Sequence, residues 1–325
     1  MAKAIKLYQN GGPEVLKWED HDPQSPQPGE VCVRNKAVGL NYIDVYHRSG
    51  LYPLPALPAI PGMEGAGIVQ AVGEGVTAVK EGDRIAYAGL PTGAYAQVRC
   101  MPADRLVKIP EEISFETAAG MMLKGMTARY LIRGCYPVTA SDTILIHAAA
   151  GGVGSMVCQW AKHIGATVIG TVGSSHKAEL ARSHGCDYPI LYSQEDFVEK
   201  VREITNGNGV DVVYDSVGQA TFMPSLDCLR PLGTMVSFGQ SSGSVPPFEL
   251  GLLAAKGSLF LTRPSLMTYT ENQQDLVAHA QDLFDVVQLG AVKVAIGQTY
   301  DLAEAAIAHR DLEGRKTTGS TILIP

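Results

Sequence analysis

Residues 143–154, Thr143-Ile-Leu-Ile-His-Ala-Ala-Ala-Gly-Gly-Val-Gly154, decide how the rest of the chain is read. The run from Thr143 to His147 predicts a buried strand, and Gly151, Gly152 and Gly154 then open an amphipathic segment. From Gly154 to Ile164, Met156, Val157, Trp160, Ala161 and Ile164 share one helical face, and Gly165 is placed to end the helix. A strand, a turn of small residues and a helix form the context in which a glycine-rich loop binds a dinucleotide. Small residues let the backbone approach a pyrophosphate. The helix N-terminus adds N–H groups and the positive end of a dipole. A tight turn with no ligand is the alternative, and the strand predicted after the helix weakens it.

Further strands are expected at Thr167 to Val172, Ile190 to Tyr192, Val210 to Tyr214, Thr234 to Phe238 and Ser258 to Thr262. Helices fall between them: one over residues 176–184, another opened by Ser193 with Asp196 and striped by Phe197, Val198, Val201 and Ile204. Strands alternating with helices imply a doubly wound parallel six-stranded sheet, an α/β fold, because parallel strands need crossover connections. The first third differs. Short apolar or alternating runs such as Val31-Cys-Val33, Gly67 to Val72 and Arg84 to Tyr87 lie between Gly- and Pro-rich turns, with little helical periodicity before residue 114. A last helix is expected from Asn272 to Leu289, with Leu276, Val277, Ala280, Leu283, Phe284 and Val287 as its apolar stripe. The tail returns to strand-like runs at Val292 to Ile296 and Ser320 to Ile324, and is expected to rejoin the β-rich region.

A length of 325 residues suits two domains, and 46% hydrophobic against 18% charged residues supplies a core. The formal net charge of -7 argues against nucleic acid as a partner and, more weakly, against an anionic membrane surface. No apolar run approaches the roughly 20 residues of a membrane helix, and the start, Met1-Ala-Lys-Ala-Ile-Lys6, lacks the apolar core of a signal peptide. The six cysteines, Cys32, Cys100, Cys135, Cys158, Cys186 and Cys228, show no metal-ligand spacing and are expected to be reduced thiols in a cytoplasmic protein.

The second strand discriminates between cofactors. NAD enzymes usually carry an acid about 20 residues beyond the glycines, on the ribose 2′-hydroxyl. Here the strand ends Gly170-Thr-Val-Gly-Ser-Ser-His-Lys177, without an acid. Gly173, Ser174 and Lys177 suit a 2′-phosphate, and a cation in the first turn of a helix opposes the dipole unless an anion joins it. NADPH is the cofactor this pattern favours.

Several stretches together resemble the quinone oxidoreductases of the medium-chain dehydrogenase/reductase superfamily, the branch that includes zeta-crystallin. They are Gly11-Gly-Pro-Glu-Val-Leu16, Asn41-Tyr-Ile-Asp44 leading into Arg48-Ser-Gly-Leu-Tyr-Pro53, and Pro61-Gly-Met-Glu-Gly-Ala-Gly67. Further on come Ala148-x-x-Gly151-x-x-Gly154, Tyr214-Asp-Ser-Val-Gly218, Phe238-Gly-Gln-Ser-Ser-Gly243 and Thr262-Arg-Pro-Ser265. The resemblance covers essentially the whole chain. It implies a GroES-like β-rich catalytic domain, residues 1–124 and 267–325, around a Rossmann NADP-binding domain, residues 125–266, with the nicotinamide in the cleft between them.

By position, Asn41, Ile43, Asp44 and Tyr46 would line the nicotinamide side, with Thr127 and Tyr130 at the start of the Rossmann domain. Gly151, Gly152 and Val153 would hold the pyrophosphate. Ser174, Lys177, Tyr192 and Arg315 would surround the 2′-phosphate, and Ser216, Phe238, Gly239, Gln240 and Arg263 would complete the cradle. Tyr46 and Tyr52 would border the substrate, though ordinary packing explains either tyrosine. The zinc alcohol dehydrogenases of the superfamily carry a catalytic Cys, a Gly-His-Glu motif and a four-cysteine lobe. Here Asn41-Tyr-Ile-Asp44 and Gly62-Met-Glu64 stand in those regions and the lobe cysteines are missing, so no metal is expected.

The expected activity is metal-free reduction of quinones by NADPH. Quinone carbonyls are already electrophilic, so hydroxyls and amides of Asn41, Tyr46, Tyr52 or Thr127 would need only to hydrogen-bond the developing oxyanion. Reduction of 2-alkenals or other conjugated carbonyl compounds is the nearest alternative. A serine hydrolase reading rests on Gly239-Gln-Ser-Ser-Gly243 with Asp275, His279 and His309 downstream, but Ser244-Val-Pro-Pro247 stands where a helix must follow. A nucleotide- or RNA-binding structural role is the remaining rival, with no basic aromatic patch to support RNA. The apolar run Gly257 to Thr262 would form a sheet edge, and pairing of two such edges would make a homodimer.

Overall fold

The structure is a computed structural model that describes residues 1–325. It divides into one unit of residues 1–126, 269–284 and 294–325, and a second of residues 127–268 and 285–293.

The second unit holds a six-stranded sheet in the order Tyr188–Leu191, Thr167–Val172, Thr143–Ile146, Val210–Asp215, Leu229–Ser237, Phe260–Thr262. Every neighbouring pair is parallel. Strand Thr143–Ile146 lies inside, and the chain winds outward from it first to one side and then to the other. That reversal leaves a crevice beyond the carboxyl ends of Thr143–Ile146 and Val210–Asp215, where ligands of such sheets bind. Leu145, Ile169, Ile190, Val213 and Met235 fill the core beneath.

Local chemistry explains the helices. The first runs Gly152–Ile164, two residues earlier than the apolar stripe suggests, because Gly151 takes the extended N-cap conformation. Met156, Val157, Trp160 and Ala161 are its buried face, and Gly165 ends it at φ 103° with its N–H on the carbonyls of Ala161 and Lys162. The next helix, Ser175–Ser183, is capped by Ser174. The third corrects the expectation that Ser193 opens it. Asp196 is the cap, its carboxylate accepting from the N–H groups of Val198 and Glu199, and the helix spans Phe197–Ile204. Ser193 falls instead in a turn closed by Glu195, whose side chain accepts from the Leu191 N–H.

The first unit is built on a seven-stranded sheet. Its order is Ile296–Asp301, Ser320–Ile324, Glu30–Leu40, Glu64–Val72, Arg84–Ala88, Val107–Lys108, with Val98–Pro102 also paired to Glu30–Leu40. The tail therefore rejoins the β-rich region: Ser320–Ile324 lies antiparallel to Glu30–Leu40. Its first strand starts at Ile296, not Val292. Ala2–Leu7 and Leu16–His21 form a separate antiparallel pair. Val31, Val33, Val38, Val69, Ile85, Tyr87 and Leu323 share the core.

Three expectations are corrected here. A helix, Tyr42–Ser49, interrupts the β-rich third. The helix Gln273–Gln288 buries Leu276, Ala280, Leu283 and Phe284, but Val277 is exposed. Finally, Cys32 and Cys100 are joined by a disulfide. They are direct partners on antiparallel strands, with Cα atoms 4.1 Å apart, a proximity that spacing along the chain does not reveal. Cys135, Cys158, Cys186 and Cys228 are free thiols.

Candidate functional site

The glycine-rich turn is held by its own backbone. Ala148 adopts a left-handed φ of 56°, and its carbonyl accepts the Gly151 N–H at 2.8 Å. A Cβ on Gly154 would stand 2.2 Å from that same oxygen and 2.9 Å from Ala149 Cα, so only glycine lets the helix start against the strand. Gly151 is less restricted, its nearest neighbour lying at 3.1 Å. The first-turn N–H groups, those of Gly152 and Val153 among them, point out of the helix end as α-helical geometry requires.

The end of strand Thr167–Val172 brings Gly173, Ser174, Lys177 and Tyr192 together. Ser174 Oγ accepts the Lys177 N–H at 3.3 Å, which fixes Lys177 in the first turn of its helix. A Cβ on Gly173 would meet Tyr192 Oη at 2.6 Å. Tyr192 follows the neighbouring strand, with its N–H on the Val172 carbonyl, and nearly half of its surface is exposed. Arg315 belongs to the other unit, two residues beyond the helix Ala305–Glu313, with a left-handed φ of 57°.

On the other side of the crevice, two loops are zipped together. Phe238 N–H donates to the Asp215 carbonyl at 2.8 Å, and Ser241 and Ser242 N–H to those of Ser216 and Val217. Asp215 is fully buried, accepting from the Val217 N–H at 2.7 Å and the Thr221 hydroxyl at 2.8 Å. Arg263 donates to the Ser237 carbonyl at 3.1 Å. Ser216, Phe238, Gly239, Gln240 and Arg263 thus lie at adjacent strand ends. The chain after Gly243 stays non-helical to residue 250 before the short helix Gly251–Ala255, so Gly239 to Gly243 is no nucleophile elbow.

In the β-rich unit, Asn41 caps the helix Tyr42–Ser49. Its N–H donates to Asp44 Oδ2 at 2.9 Å and its side-chain amide to Glu64 Oε2 at 2.7 Å. Glu64, fully buried, also accepts from Lys124 Nζ at 3.1 Å and from the Leu123 N–H at 2.7 Å. Asp44 is fully buried as well. Burial raises its pKa to about 7, against the hydrogen bonds from Asn41 and Tyr95, which favour the carboxylate. Ile43 is half-buried at the start of this helix. Tyr46 is buried on the helix, its ring 5.0 Å from Tyr52 and 5.7 Å from Tyr42. Thr127 is buried on the helix Phe115–Arg129, and Tyr130 opens the π-helical turn after it.

The residues around Asn41 were not all legible. Glu64 sits in the quoted Gly62-Met-Glu64 motif, but Lys124, Tyr95, His309 and Glu313 are remote in sequence and carry no motif. Tyr95 Oη donates to Asp44 Oδ2 at 3.1 Å and contacts His309 Nε2 at 2.9 Å. Arg48 joins His309 Nδ1 at 3.1 Å and clasps Glu313 through two bonds of 2.9 and 2.8 Å. No group of three or more His, Cys, Asp or Glu side chains stands together as a metal's donor set. Of the two acids beside Asn41, Glu64 is occupied by an amide and an ammonium, and Asp44 takes the Asn41 N–H and the Tyr95 hydroxyl. These residues do not fit a zinc ion.

Comparison with known proteins places the chain. The zinc-binding dehydrogenase family model matches residues 152–283, and the alcohol dehydrogenase GroES-like domain model matches residues 27–111. The quinone oxidoreductase of Pseudomonas aeruginosa is 52% identical over 325 residues, with 100% of both chains covered. A 2-haloacrylate reductase of a Burkholderia species is 46% identical, covering 100% of this chain and 99% of that one. The crystal structure of Escherichia coli quinone oxidoreductase complexed with NADPH matches with a TM-score of 0.98 at 49% identity, covering 100% of each chain. The chain belongs to the quinone oxidoreductase family of the medium-chain dehydrogenase/reductase superfamily.

Proposed function

We propose that this protein reduces quinones with NADPH and without a metal. The carrying observation is the end of strand Thr167–Val172, where Ser174, Lys177 and Tyr192 gather and no acid occupies the ribose position. Bound NADPH supplies the hydride. Gly151, Gly152 and Val153 hold the pyrophosphate at the helix end, Lys177 and Arg315 neutralise the 2′-phosphate, and Ser174 and Tyr192 hydrogen-bond it. Ser216, Phe238, Gly239, Gln240 and Arg263 form the rest of the dinucleotide cradle. Asn41, Ile43, Asp44, Tyr46, Thr127 and Tyr130 serve the nicotinamide end. Asn41, Tyr46, Tyr52 and Thr127 offer hydrogen bonds to the oxyanion that develops on the substrate, and water protonates it. The Rossmann domain is assigned to residues 125–266 and the catalytic domain to residues 1–124 and 267–325.

The 2-haloacrylate reductase relative favours a second reading, hydride transfer to an activated alkene. A steady-state assay offering NADPH and NADH with quinones and with enones separates the two. NADPH-selective quinone turnover supports the proposal. Turnover of enones alone moves the activity to alkenes, and equal use of NADH removes the role given to Lys177.

The edge strand Phe260–Thr262 shows Phe260 61% and Leu261 37% exposed. Apolar side chains on an unpaired edge favour a homodimer joined there. Sedimentation of a Phe260→Lys variant as a monomer, against a dimeric parent, tests it. No helix is long and apolar enough to cross a membrane, and a cytoplasmic location is part of the proposal.

A further inference from the structure

The groups that fix the Asn41 turn form a single hydrogen-bonded chain whose direction the chemistry dictates. A guanidinium can only donate. Arg48 Nη1, 3.1 Å from His309 Nδ1, therefore makes Nδ1 an acceptor. The neutral ring then carries its proton on Nε2 and donates to Tyr95 Oη. The Tyr95 hydroxyl is left to donate to Asp44 Oδ2, which also takes the Asn41 N–H. Arg48, Tyr95, His309 and Asp44 are each at most 2% exposed, so no water competes along the chain. At its outer end, Arg48 is locked by both Glu313 oxygens and by the Gly11 carbonyl at 3.0 Å.

We propose that His309 is a positioning residue: acting through Tyr95, it holds the Asp44 carboxyl, and with it the Asn41 turn, in one hydrogen-bonding polarity. The inference rests on the quinone reductase reading for its kinetic consequence only; the polarity is a property of the ligand-free protein. Burial, aided by the Arg48 charge, lowers the His309 pKa to about 3, so the ring stays neutral and the direction holds through the working range. Reversing the ring would set an N–H against the guanidinium and leave Tyr95 to donate to His309. Asp44 would then lose one of its two donors. Its Oδ1 already has no partner. The other groups that act on Asp44 are Glu64, which raises its pKa, and Lys124, which lowers it.

Replacement of the ring tests the proposal at two levels. Nitrogen-15 NMR of the ligand-free protein should show His309 as the Nε2–H tautomer; an Nδ1–H tautomer overturns the inference whatever the enzyme does. His309→Leu should lower kcat about tenfold or more, as loss of orientation does, while leaving NADPH affinity, read by nicotinamide fluorescence, within about twofold. His309→Gln keeps an acceptor and a donor at the ring's spacing and should restore most of kcat. Tyr95→Phe removes a donor to the Asp44 carboxylate, and should move the Asp44 titration, followed by carbon-13 NMR, to higher pH. Equal loss of kcat in the Leu and Gln variants, or an Asp44 titration unmoved by Tyr95→Phe, overturns it. If the parent turns over no quinone, the activity reading fails, while the tautomer and the titration still decide the positioning.

Discussion

The glycine-rich turn and the Asn41 turn open helices in the two units, and they are built in opposite ways. At Ala148 to Gly154 the work is done by what is missing: a side chain on Gly154 would collide with the Ala148 carbonyl, and the site is empty backbone. At Asn41 it is done by side chains from six places in the chain, with Asp44, Glu64, Tyr95, Lys124 and His309 all buried. The first kind of site is written locally and tolerates nothing larger. The second is assembled by tertiary structure, and each member is costly to leave unpaired. Substitutions therefore strain the first and leave orphaned charges in the second.

The largest effect is expected at Lys124. Lys124→Met would leave the Glu64 carboxylate fully buried without its ammonium, a loss of about 3–5 kcal/mol in urea unfolding. Glu64→Gln combined with Lys124→Met should recover most of it, since a neutral amide needs no counter-charge. A single variant no less stable than the double would show that the pair is dispensable, and the contrast with the glycine turn would fall.

Gly154→Ala comes next. Overpacking against a backbone oxygen costs about 1–3 kcal/mol, and NADPH binding should weaken by about tenfold to a hundredfold through displacement of the helix end. Gly151→Ala, with its nearest contact at 3.1 Å, should lose much less on both counts. Calorimetric titration with NADPH of both variants reads the difference. Matching behaviour would mean that loop shape does not set affinity. Smaller still is Lys177→Ala. It should raise the KM for NADPH by about tenfold, the value of one charge-assisted contact to phosphate, and leave NADH kinetics alone.

Legibility follows the same division. The parallel sheet could be read because its strands are continuous apolar runs and its turns are glycine-rich, both local features. Gly165 acted where its residue type said it would. Ser193 and Asp196 shows the limit: two good capping residues lay three apart, and only the turn made by Glu195 decided between them. Val277 fits the helical period yet is exposed. Around Asn41 only Asp44, three residues on, is a local partner. Arg48 and His309 are 261 positions apart, and Arg48 and Glu313 are 265. The cross-strand meeting of Cys32 and Cys100 was hidden for the same reason.

The mildest test asks whether the buried chain titrates as a unit. His309 has its pKa lowered to about 3, so the stability it lends is present above its ordinary value near 6.5 and is lost as pH falls toward 3. Asp44 has its pKa raised to about 7, so its contribution is greatest below an ordinary carboxylate pKa near 4 and is lost as pH rises through 7. Between about pH 4 and 6.5 the two slopes oppose each other. His21, His47, His147 and His184, whose pKa values burial also lowers, add the same rising slope to parent and variants, so the parent should run between the two variants. Asp44→Asn removes the falling branch and should leave a Tm that climbs with pH. His309→Gln removes one rising branch and should leave a Tm that climbs less steeply than the parent's. Asp83 and Asp311, whose pKa values are lowered by hydrogen bonds, and the other histidines are common to all three proteins, so the differences isolate the buried pair. Parallel curves for parent and variants would mean that the folded protein relaxes around these groups instead of holding them dry, and that the second kind of site is less rigid than its distances imply.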